Sequence, residues 1–228
     1  MLYTEQAVRE NIRNREGKRV FFLGKGAQLT SGARDYLAGE RIEILPAEQA
    51  KIQRYRLASG GFLEEKPEHM THLHGDVLVP KTHPRIAFRG AMDTLEAELL
   101  LCQLEAEESL SGQIGQVLEL ARQIVRCEVL EEPLPERRLC NLTEAEQRER
   151  SHRPQDFYGQ PHFMPQASDG PVILKLNRCR CAARAAELAA AAAFTDREGN
   201  PTRTDLLRAL NRMSSMIWIL MIQQKAGK

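Results

Sequence analysis

Three charged residues interrupt an otherwise apolar stretch near the carboxyl end of the chain. Arg180, Arg184 and Glu187 are spaced by four and three residues, so on a helix they lie along one stripe. From Cys181 to Phe194 every other side chain is small or apolar, and a helix of that kind is normally buried in a bundle or an oligomer interface. Because buried charge is costly without partners, we expect either an internal salt-bridge network or a bound anion, for which arginine offers forked donors.

Polar residues also interrupt the last apolar stretch and border an earlier one. Asn211, Ser214 and Ser215 share one helical face. Because a buried asparagine needs its hydrogen bonds satisfied, we expect either a polar contact between helices or a contact with a ligand. Asp93 follows Arg89 at a spacing of four, which is weak evidence by itself because exposed ion pairs contribute little.

The sequence does not favour a structural metal. His69, His72 and His74 lie close together but without a cysteine or carboxylate cluster at ligand spacing. Cys179 and Cys181, two apart on a helix, point to different faces. There is also no glycine-rich phosphate loop followed by lysine and serine or threonine, so any nucleotide must be held in another way.

The elements that position these residues are mainly helices. Apolar side chains recur at spacings of three and four in three segments, namely Phe88, Met92, Leu95, Leu99 and Cys102; Leu110, Ile114, Val117, Ala121 and Ile124; and Leu206, Leu210, Met213, Ile217 and Leu220. A helix over about 171–195 carries the charged stripe, and Thr143 with Glu146 predicts a capping box for a short helix. We predict an antiparallel bundle of four long helices and one short one over 85–228.

The amino-terminal part is different in character. Residues 1–50 read as a small mixed unit, with a short helix in TEQAVRENI, a strand in RVFFLG, and a second helix and strand in LTSGARDYLAGERIEIL. Residues 51–84 are polar and rich in glycine and proline, which predicts a linker or a ligand-covering loop. The predicted fold is therefore an all-α bundle with a small amino-terminal α/β appendage.

Composition excludes several classes of protein. The 228 residues carry a net charge of +1 and are 42% hydrophobic, which supports a packed core but neither nucleic-acid binding nor a basic membrane anchor. The apolar run from Met213 to Ile222 is too short to span a bilayer. Five cysteines without framework spacing and a charged amino terminus without an apolar core region predict a cytoplasmic protein.

Four motifs in order resemble one known family. They are PKTHPRIAFRGAMD after THL; SHRP with HFMPQASDG; the stripe Arg180, Arg184 and Glu187; and LRALNRMSSMIWILMI. Together these resemble the EutT-type corrinoid adenosyltransferases of ethanolamine utilisation, which are related to the PduO-type enzymes, over roughly 71–228 and more loosely in the amino-terminal unit.

The resemblance implies a five-helix bundle, usually a homotrimer, with ATP and cobalamin sites where subunits meet. These enzymes move the 5′-deoxyadenosyl group of ATP onto the cobalt of cobalamin that an external reductant has reduced, and they release triphosphate. The pathway suggests a cytoplasmic enzyme that works inside a bacterial microcompartment, and the amino-terminal unit would direct packaging or cover the corrinoid.

The resemblance also assigns roles to residues of this chain. Arg184 and Glu187 would grip ATP and its Mg²⁺, Asn211 would contact the nucleotide, and Asp93 would pair with Arg180 of a neighbouring subunit. The triphosphate would be wrapped by Lys81, Thr82, His83 and Arg85, and the lower ligand of cobalt would be displaced by an aromatic residue among Phe157, Tyr158 and Phe163.

The chain departs from the family pattern in three places. It has no cysteine in 51–70, where some relatives carry a Cys-Cys-x-x-Cys motif, so we predict activity without a structural metal cluster. Ser215 stands where PduO-type relatives have aspartate, and Ala185 replaces an arginine of some relatives. These changes leave open a non-catalytic bundle that stores or delivers adenosylcobalamin, and, further off, a purely structural interaction bundle.

Overall fold

The chain divides into two compact units, which are described separately here. The structure is a computed structural model that describes residues 1–15, 17–50 and 55–227. The first unit is Met1–Lys66 and the second is Pro67–Lys228.

The first unit is a small mixed α/β structure. Its helices and strands are β1 (Leu2–Tyr3), α1 (Glu5–Glu10), β2 (Arg13–Arg15), β3 (Lys18–Leu23), β4 (Gln28–Leu29), α2 (Ser31–Gly39), β5 (Glu43–Pro46), β6 (Tyr55–Leu57) and β7 (Phe62–Leu63). The strand β3 pairs antiparallel with β2 and parallel with β5. Apolar residues of both helices and of β3 and β4, among them Val8, Phe21 and Leu37, form its core. The helices and strands predicted for 1–50 are all present.

The segment predicted as a linker contains two hairpins. β6 and β7 pair antiparallel in the first unit, and in the second unit β8 (Met70–His74) pairs antiparallel with β9 (Val77–Pro80). The prediction of an irregular stretch over 51–84 is therefore corrected for its described part, and residues 51–54 lie outside the described residues. The strands β8 and β9 are stabilised because Leu73, Val77 and Val79 become buried against Ile86. This tertiary contact cannot be predicted from a segment that is rich in glycine and proline.

The second unit is built from helices at the predicted positions. Its helices are α3 (Pro84–Gln103), α4 (Glu108–Leu130), α5 (Glu144–His152), α6 (Pro154–Tyr158), α7 (Gly170–Ala193) and α8 (Thr204–Lys225). The capping box of Thr143 and Glu146 is present. α6 has no counterpart among the helices predicted from the sequence. It begins at a proline, which suits the first position of a helix, and ends at Gly159 with φ +71°.

Side-chain contacts fix the helix directions. Phe88 at the start of α3 packs on Phe194, just after α7, with ring centroids 5.6 Å apart, while Lys175 near the start of α7 pairs with Glu105 beyond the end of α3. α3 and α7 are therefore antiparallel. Lys225 at the end of α8 contacts Asp169 at the start of α7, so α7 and α8 are antiparallel too. The mainly helical fold predicted from the sequence is confirmed.

The charged helix α7 is buried on one side only within a single chain. Its buried residues, such as Cys179, Ala183, Ala186 and Ala190, repeat at spacings of three and four and let the neighbouring helices approach closely. On the other side Leu188 is 73% exposed. Five leucines of α3, its C-cap and α7 are exposed, and we call them the exposed leucines: Leu100, Leu101, Leu104, Leu174 and Leu188.

Candidate functional site

A large cavity opens between α7 and α8, and it contains most of the charged stripe. Its volume is about 910 Å³, well within the range of ligand sites in proteins. We call it the stripe cavity, and its lining residues are Ser151, His152, His162, Phe163, Arg180, Arg184, Glu187, Leu188, Ala191, Leu207, Asn211, Ser214, Ser215 and Trp218. The structure thus brings together Arg180, Arg184, Glu187, Asn211 and Phe163 among the predicted site residues.

The two arginines of the cavity have no carboxylate partner among the described residues. Arg184 is exposed. Arg180 Nη1 donates to Asn177 Oδ1 at 3.4 Å, and its guanidinium lies 5.0 Å from the centre of the Trp218 ring. Burial, and then the charge of Arg184, lowers the pKa of Arg180. An internal salt-bridge network therefore does not account for these arginines, and an anion entering the cavity would meet two forked donors.

Glu187 and Asn211 form a polar contact between α7 and α8. Asn211 Nδ2 donates to Glu187 Oε1 at 2.9 Å, and Asn211 Oδ1 accepts from Arg212 Nη2. The hydroxyls of Ser214 and Ser215 donate to the Asn211 carbonyl oxygen at 2.9 and 3.2 Å. The interhelical contact expected for Asn211 is present, and it also fixes the Glu187 carboxylate at the cavity wall.

Aromatic rings form one wall of the cavity. Trp218 stacks with Phe163 at 5.2 Å and with His162 at 5.8 Å between ring centroids, and Lys225 Nζ lies 5.6 Å from the Phe163 ring centre. The sequence reasoning missed Trp218 and His162. A signal existed for Trp218, the single tryptophan of the chain, because it lies seven residues after Asn211 and so on the same helical face.

Two of the predicted aromatic residues lie elsewhere. Tyr158 is 7% exposed and belongs to the main core, and Phe157 contacts Tyr158 and the guanidinium of Arg150. Neither lines the stripe cavity. Of the three candidates for displacing the lower ligand of cobalt, Phe163 is therefore the one that lines the stripe cavity.

Within a single chain Arg85 is engaged away from the stripe cavity, and its contact with triphosphate stays a prediction. Its Nε donates to the fully buried Glu128 carboxylate and its Nη1 donates to Glu131 at 2.9 Å. Arg89 donates to the other oxygen of Glu128 at 2.6 Å. Glu128 balances two arginines, and removing Arg85 from it would leave a buried carboxylate underpaired.

The other predicted triphosphate residues and Asp93 do not line the stripe cavity. Lys81 Nζ pairs with Glu68 at 3.1 Å, Thr82 is exposed, and His83 caps α3 by accepting from the Arg85 amide at 3.2 Å. Burial, with the charges of Arg85 and Arg89, lowers the pKa of His83. Asp93 is exposed on α3 and does not pair with Arg180 within one chain.

The described residues contain no group of three or more His, Cys, Asp or Glu side chains that could hold a metal ion. Glu187 is nevertheless a carboxylate held in place beside the two arginines. Magnesium is usually held by one or two carboxylates together with substrate phosphates, so the cavity fits a magnesium ion that arrives with a nucleotide.

Comparison with known proteins identifies the family. Residues 62–224 match the model of the cobalamin adenosyltransferase family, and the chain belongs to that family. It is 30% identical over 242 residues to the corrinoid adenosyltransferase EutT of Salmonella typhimurium, a match that covers 96% of this chain and 90% of the relative. The EutT of Escherichia coli K12 is 32% identical over 158 residues, which are 69% of this chain and 59% of that protein.

Two solved structures are also similar to this chain. They are variants of the PduO-type ATP:corrinoid adenosyltransferase from Lactobacillus reuteri, each complexed with cobalamin and ATP, with TM-scores of 0.49 and sequence identities of 15% and 14%. The first match covers 75% of this chain and 87% of the solved chain, and the second covers 78% of this chain and 89% of the solved chain. The resemblance to corrinoid adenosyltransferases that the four motifs indicate is confirmed.

Among the described residues, no helix is both long and apolar enough to cross a membrane.

Proposed function

We propose that this protein transfers the 5′-deoxyadenosyl group of ATP to the cobalt of reduced cobalamin and releases triphosphate. The observation that carries the proposal is the pair Arg180 and Arg184, which face the stripe cavity without a carboxylate partner among the described residues. Triphosphate leaves readily when its charge is neutralised in place, because donors fixed in advance stabilise charge as it develops.

Three polar residues of the cavity have defined parts in nucleotide binding. Arg184 donates to phosphate oxygens, and Glu187 holds the magnesium ion that accompanies ATP. Asn211 contacts the nucleotide while its Nδ2 keeps the Glu187 carboxylate in position at 2.9 Å. When bound, magnesium supplies further neutralisation of the triphosphate charge.

The aromatic wall serves the corrinoid. Phe163, supported from behind by Trp218 at 5.2 Å, occupies the position from which the lower ligand of cobalt is displaced. Loss of that ligand makes reduction of Co(II) by one electron from an external reductant easier. The Co(I) nucleophile then forms a bond to the 5′ carbon, the carbon–oxygen bond breaks, and triphosphate departs with the electron pair.

The remaining residues reach the cavity from a neighbouring subunit. We place Lys81, Thr82 and His83 at the triphosphate and Asp93 beside Arg180 across an interface, in a homotrimer built through the exposed leucines. Arg85 pairs with Glu128 and Glu131 in one chain, and its contact with triphosphate stays a prediction.

The decisive experiment is a direct assay of product. The protein is mixed with ATP, magnesium and cobalamin under a strong chemical reductant, and adenosylcobalamin and triphosphate are quantified together. Equal amounts of both support the transferase. If corrinoid and ATP bind but no adenosylcobalamin forms, the protein is instead a bundle that stores or delivers the cofactor, for which Ser215 and Ala185 would be the altered positions.

We place this activity in ethanolamine utilisation, as the EutT-type resemblance implies, with a bacterial microcompartment as its site. Fluorescent fusions of the whole chain and of residues 67–228, expressed with a microcompartment operon, test the location. Loss of encapsulation in the shorter fusion would assign packaging to the first unit, and equal encapsulation would refute that role.

A further inference from the structure

A second, smaller cavity lies on a different face of α8. Its volume is about 230 Å³, and it shares no lining residue with the stripe cavity. Apolar groups such as Leu120, Leu134 and Leu139 form much of its wall, and Gln147, Arg208 and Arg212 add polar groups. An engineered cavity of about 150 Å³ holds benzene, so this one has room for a molecule of roughly ten non-hydrogen atoms.

Two buried polar atoms at this cavity have no hydrogen-bond partner within the described part of the chain. The Gln147 side chain, in a residue only 1% exposed, donates through Nε2 to the Leu142 carbonyl at 3.0 Å, but its Oε1 has no donor. Arg212 donates through Nη2 to Asn211, while its Nη1 is buried without an acceptor. Orphaned buried atoms of this kind are rare and mark an unfilled requirement for one donor and one acceptor.

The neighbouring charges do not satisfy Arg212. The nearby carboxylates bind other groups: Glu136 lies 3.6 Å from Arg208 Nη1, and Asp205 accepts from Arg203 and from the Leu134 amide at 2.9 Å. The neighbouring Arg137 donates to Gln123 at 2.9 Å. Arg212 forms no ion pair with any described carboxylate, although Glu144 also borders the cavity. A ligand that supplies an anionic acceptor to Arg212 and a donor to Gln147 would satisfy both.

We infer that this cavity is a binding site for a small carboxylate with an adjacent hydroxyl or ammonium group and an apolar tail. The carboxylate accepts from Arg212 Nη1, the adjacent group donates to Gln147 Oε1, and the tail meets the leucines. The inference is independent of the proposed function because the site needs neither ATP nor corrinoid.

The test uses three probes with the same carbon skeleton. Leucine carries an ammonium beside its carboxylate, 2-hydroxyisocaproate carries a hydroxyl, and isocaproate carries neither. Binding to the full chain is measured by titration calorimetry and by saturation-transfer NMR. We expect a dissociation constant of about 1 mM for the preferred donor-bearing probe, in line with modest ligand efficiency, and binding at least about tenfold weaker for isocaproate.

Matched variants locate the site. Arg212→Met is expected to weaken binding of the preferred probe by about tenfold or more, whereas Arg208→Met, one turn away and already paired, changes it by less than about twofold. Crystals grown with the probe should show density at Gln147 and Arg212, a readout that stands even if Arg212→Met does not fold. The inference would be overturned if all three probes bind equally or if crystals show probe density only elsewhere. It would also be overturned if no binding is detected at a probe concentration ten times the expected dissociation constant of about 1 mM.

Discussion

Arg180 and Arg184 repel each other across one helical turn, and no carboxylate in the described chain relieves that repulsion. By contrast Arg178, on the same helix, pairs with Glu98 at 2.5 Å. A helix that pairs one arginine and leaves two unpaired beside a cavity is arranged for an anionic ligand rather than for its own stability.

Replacing Arg184 separates ligand binding from folding. Arg184→Ala should weaken binding of ATP with magnesium by about 10- to 100-fold, the usual size of a lost charge-assisted hydrogen bond, while the melting temperature stays within about 2 °C because the side chain is exposed and unpaired. Calorimetric titration and thermal melts provide both measurements. Arg178→Ala is the matched control and should leave ATP binding unchanged. A large loss of stability in Arg184→Ala with normal ATP binding would contradict the assignment.

Our proposal assigns displacement of the lower corrinoid ligand to Phe163, which lines the stripe cavity. Phe163→Ala should lower the fraction of bound cob(II)alamin that shows the four-coordinate signal in electron paramagnetic resonance, because the lower ligand is no longer displaced. Product formation should fall by at least about tenfold. Phe157→Ala, which alters a ring outside the cavity, should retain the signal. The same signal in Phe163→Ala and in the unaltered protein would remove Phe163 from this role.

The sequence identifies some residues of the stripe cavity but not others, such as His162 and Trp218. Arg180, Arg184 and Glu187 could be predicted because their spacing and apolar surroundings are local features. The ion pair of Arg85 could not be predicted because its partner, Glu128, is 43 residues away along the chain. Only the packing of α3 on α4 brings the two together.

At the scale of the elements, Glu128 is the polar link that joins α3 to α4. It follows Ile124 by four residues, so it continues the apolar face of α4, and it is fully buried. Arg85 and Arg89 bind its two carboxylate oxygens, and Arg89 also donates to the Leu73 carbonyl at 2.7 Å. The cluster therefore connects the hairpin of β8 and β9 to two helices.

Neutralising Glu128 should be strongly destabilising. Glu128→Gln leaves the part-buried Arg89 without its counter-charge and Arg85 with only the exposed Glu131, and breaking a buried ion pair costs roughly 3 to 5 kcal/mol. Chemical denaturation followed by circular dichroism measures this cost. Glu119→Gln removes a carboxylate that is 71% exposed and 3.5 Å from Arg137, and it should cost less than about 1 kcal/mol. Equal costs for the two variants would show that the cluster does not stabilise the fold.

Asp205 makes the start of α8 sensitive to acid. Burial alone would raise the pKa of its carboxyl group, but hydrogen bonds from Arg203 and the amides of Leu134 and Leu206 outweigh burial and lower the pKa to about 2. A carboxylate whose pKa is lower in the folded state stabilises that state above its unfolded pKa, near 3.9. This stabilisation is lost as the pH falls towards 2.

Asp205→Asn should therefore show a pH-dependent deficit. The free energy of unfolding should be about 1 to 3 kcal/mol lower than in the unaltered protein at pH 6, and the difference should shrink steadily between pH 4 and about pH 2 as Asp205 is protonated. Urea denaturation across this range measures it, with the exposed Asp35→Asn as control. A deficit that stays constant down to pH 2 would contradict the lowered pKa.

The helices were predictable and the hairpins were not, for a physical reason. A long amphipathic helix repeats its apolar residues every three or four positions, so its signal accumulates over 20 or more residues, as in α3 and α8. Strands such as Val77–Pro80 are too short for a periodic signal. Their stability comes from burial against Ile86, which no local pattern shows.

At the scale of the whole molecule, a single chain does not bring together all the residues to which our proposal assigns a role. Lys81, Thr82 and Asp93 do not line the stripe cavity, and the exposed leucines leave apolar surface uncovered, with Leu104 82% exposed and Leu188 73% exposed. Exposed apolar patches commonly mark interfaces. A homotrimer that joins α3 of one subunit to α7 of the next would cover the leucines and bring Asp93 to Arg180.

Mixing inactive subunits tests this shared site. Asp93→Ala and Arg184→Ala should each abolish product formation alone, because each removes one half of every site. When the two variants are unfolded, mixed in equal amounts and refolded, sites that take Asp93 from one subunit and Arg184 from the other are intact. Random assembly of a closed ring makes about one interface in four complete, so about a quarter of the unaltered activity should return.

The control is a second pair of variants altered at the same half of the site. Arg180→Ala mixed with Arg184→Ala leaves no complete site, since both residues lie on α7, and it should recover nothing. Sedimentation of each mixture confirms that the oligomers form. If the Asp93→Ala and Arg184→Ala mixture forms oligomers but stays inactive, Asp93 acts within its own chain or not at all, and the trimer is then no part of the catalytic site.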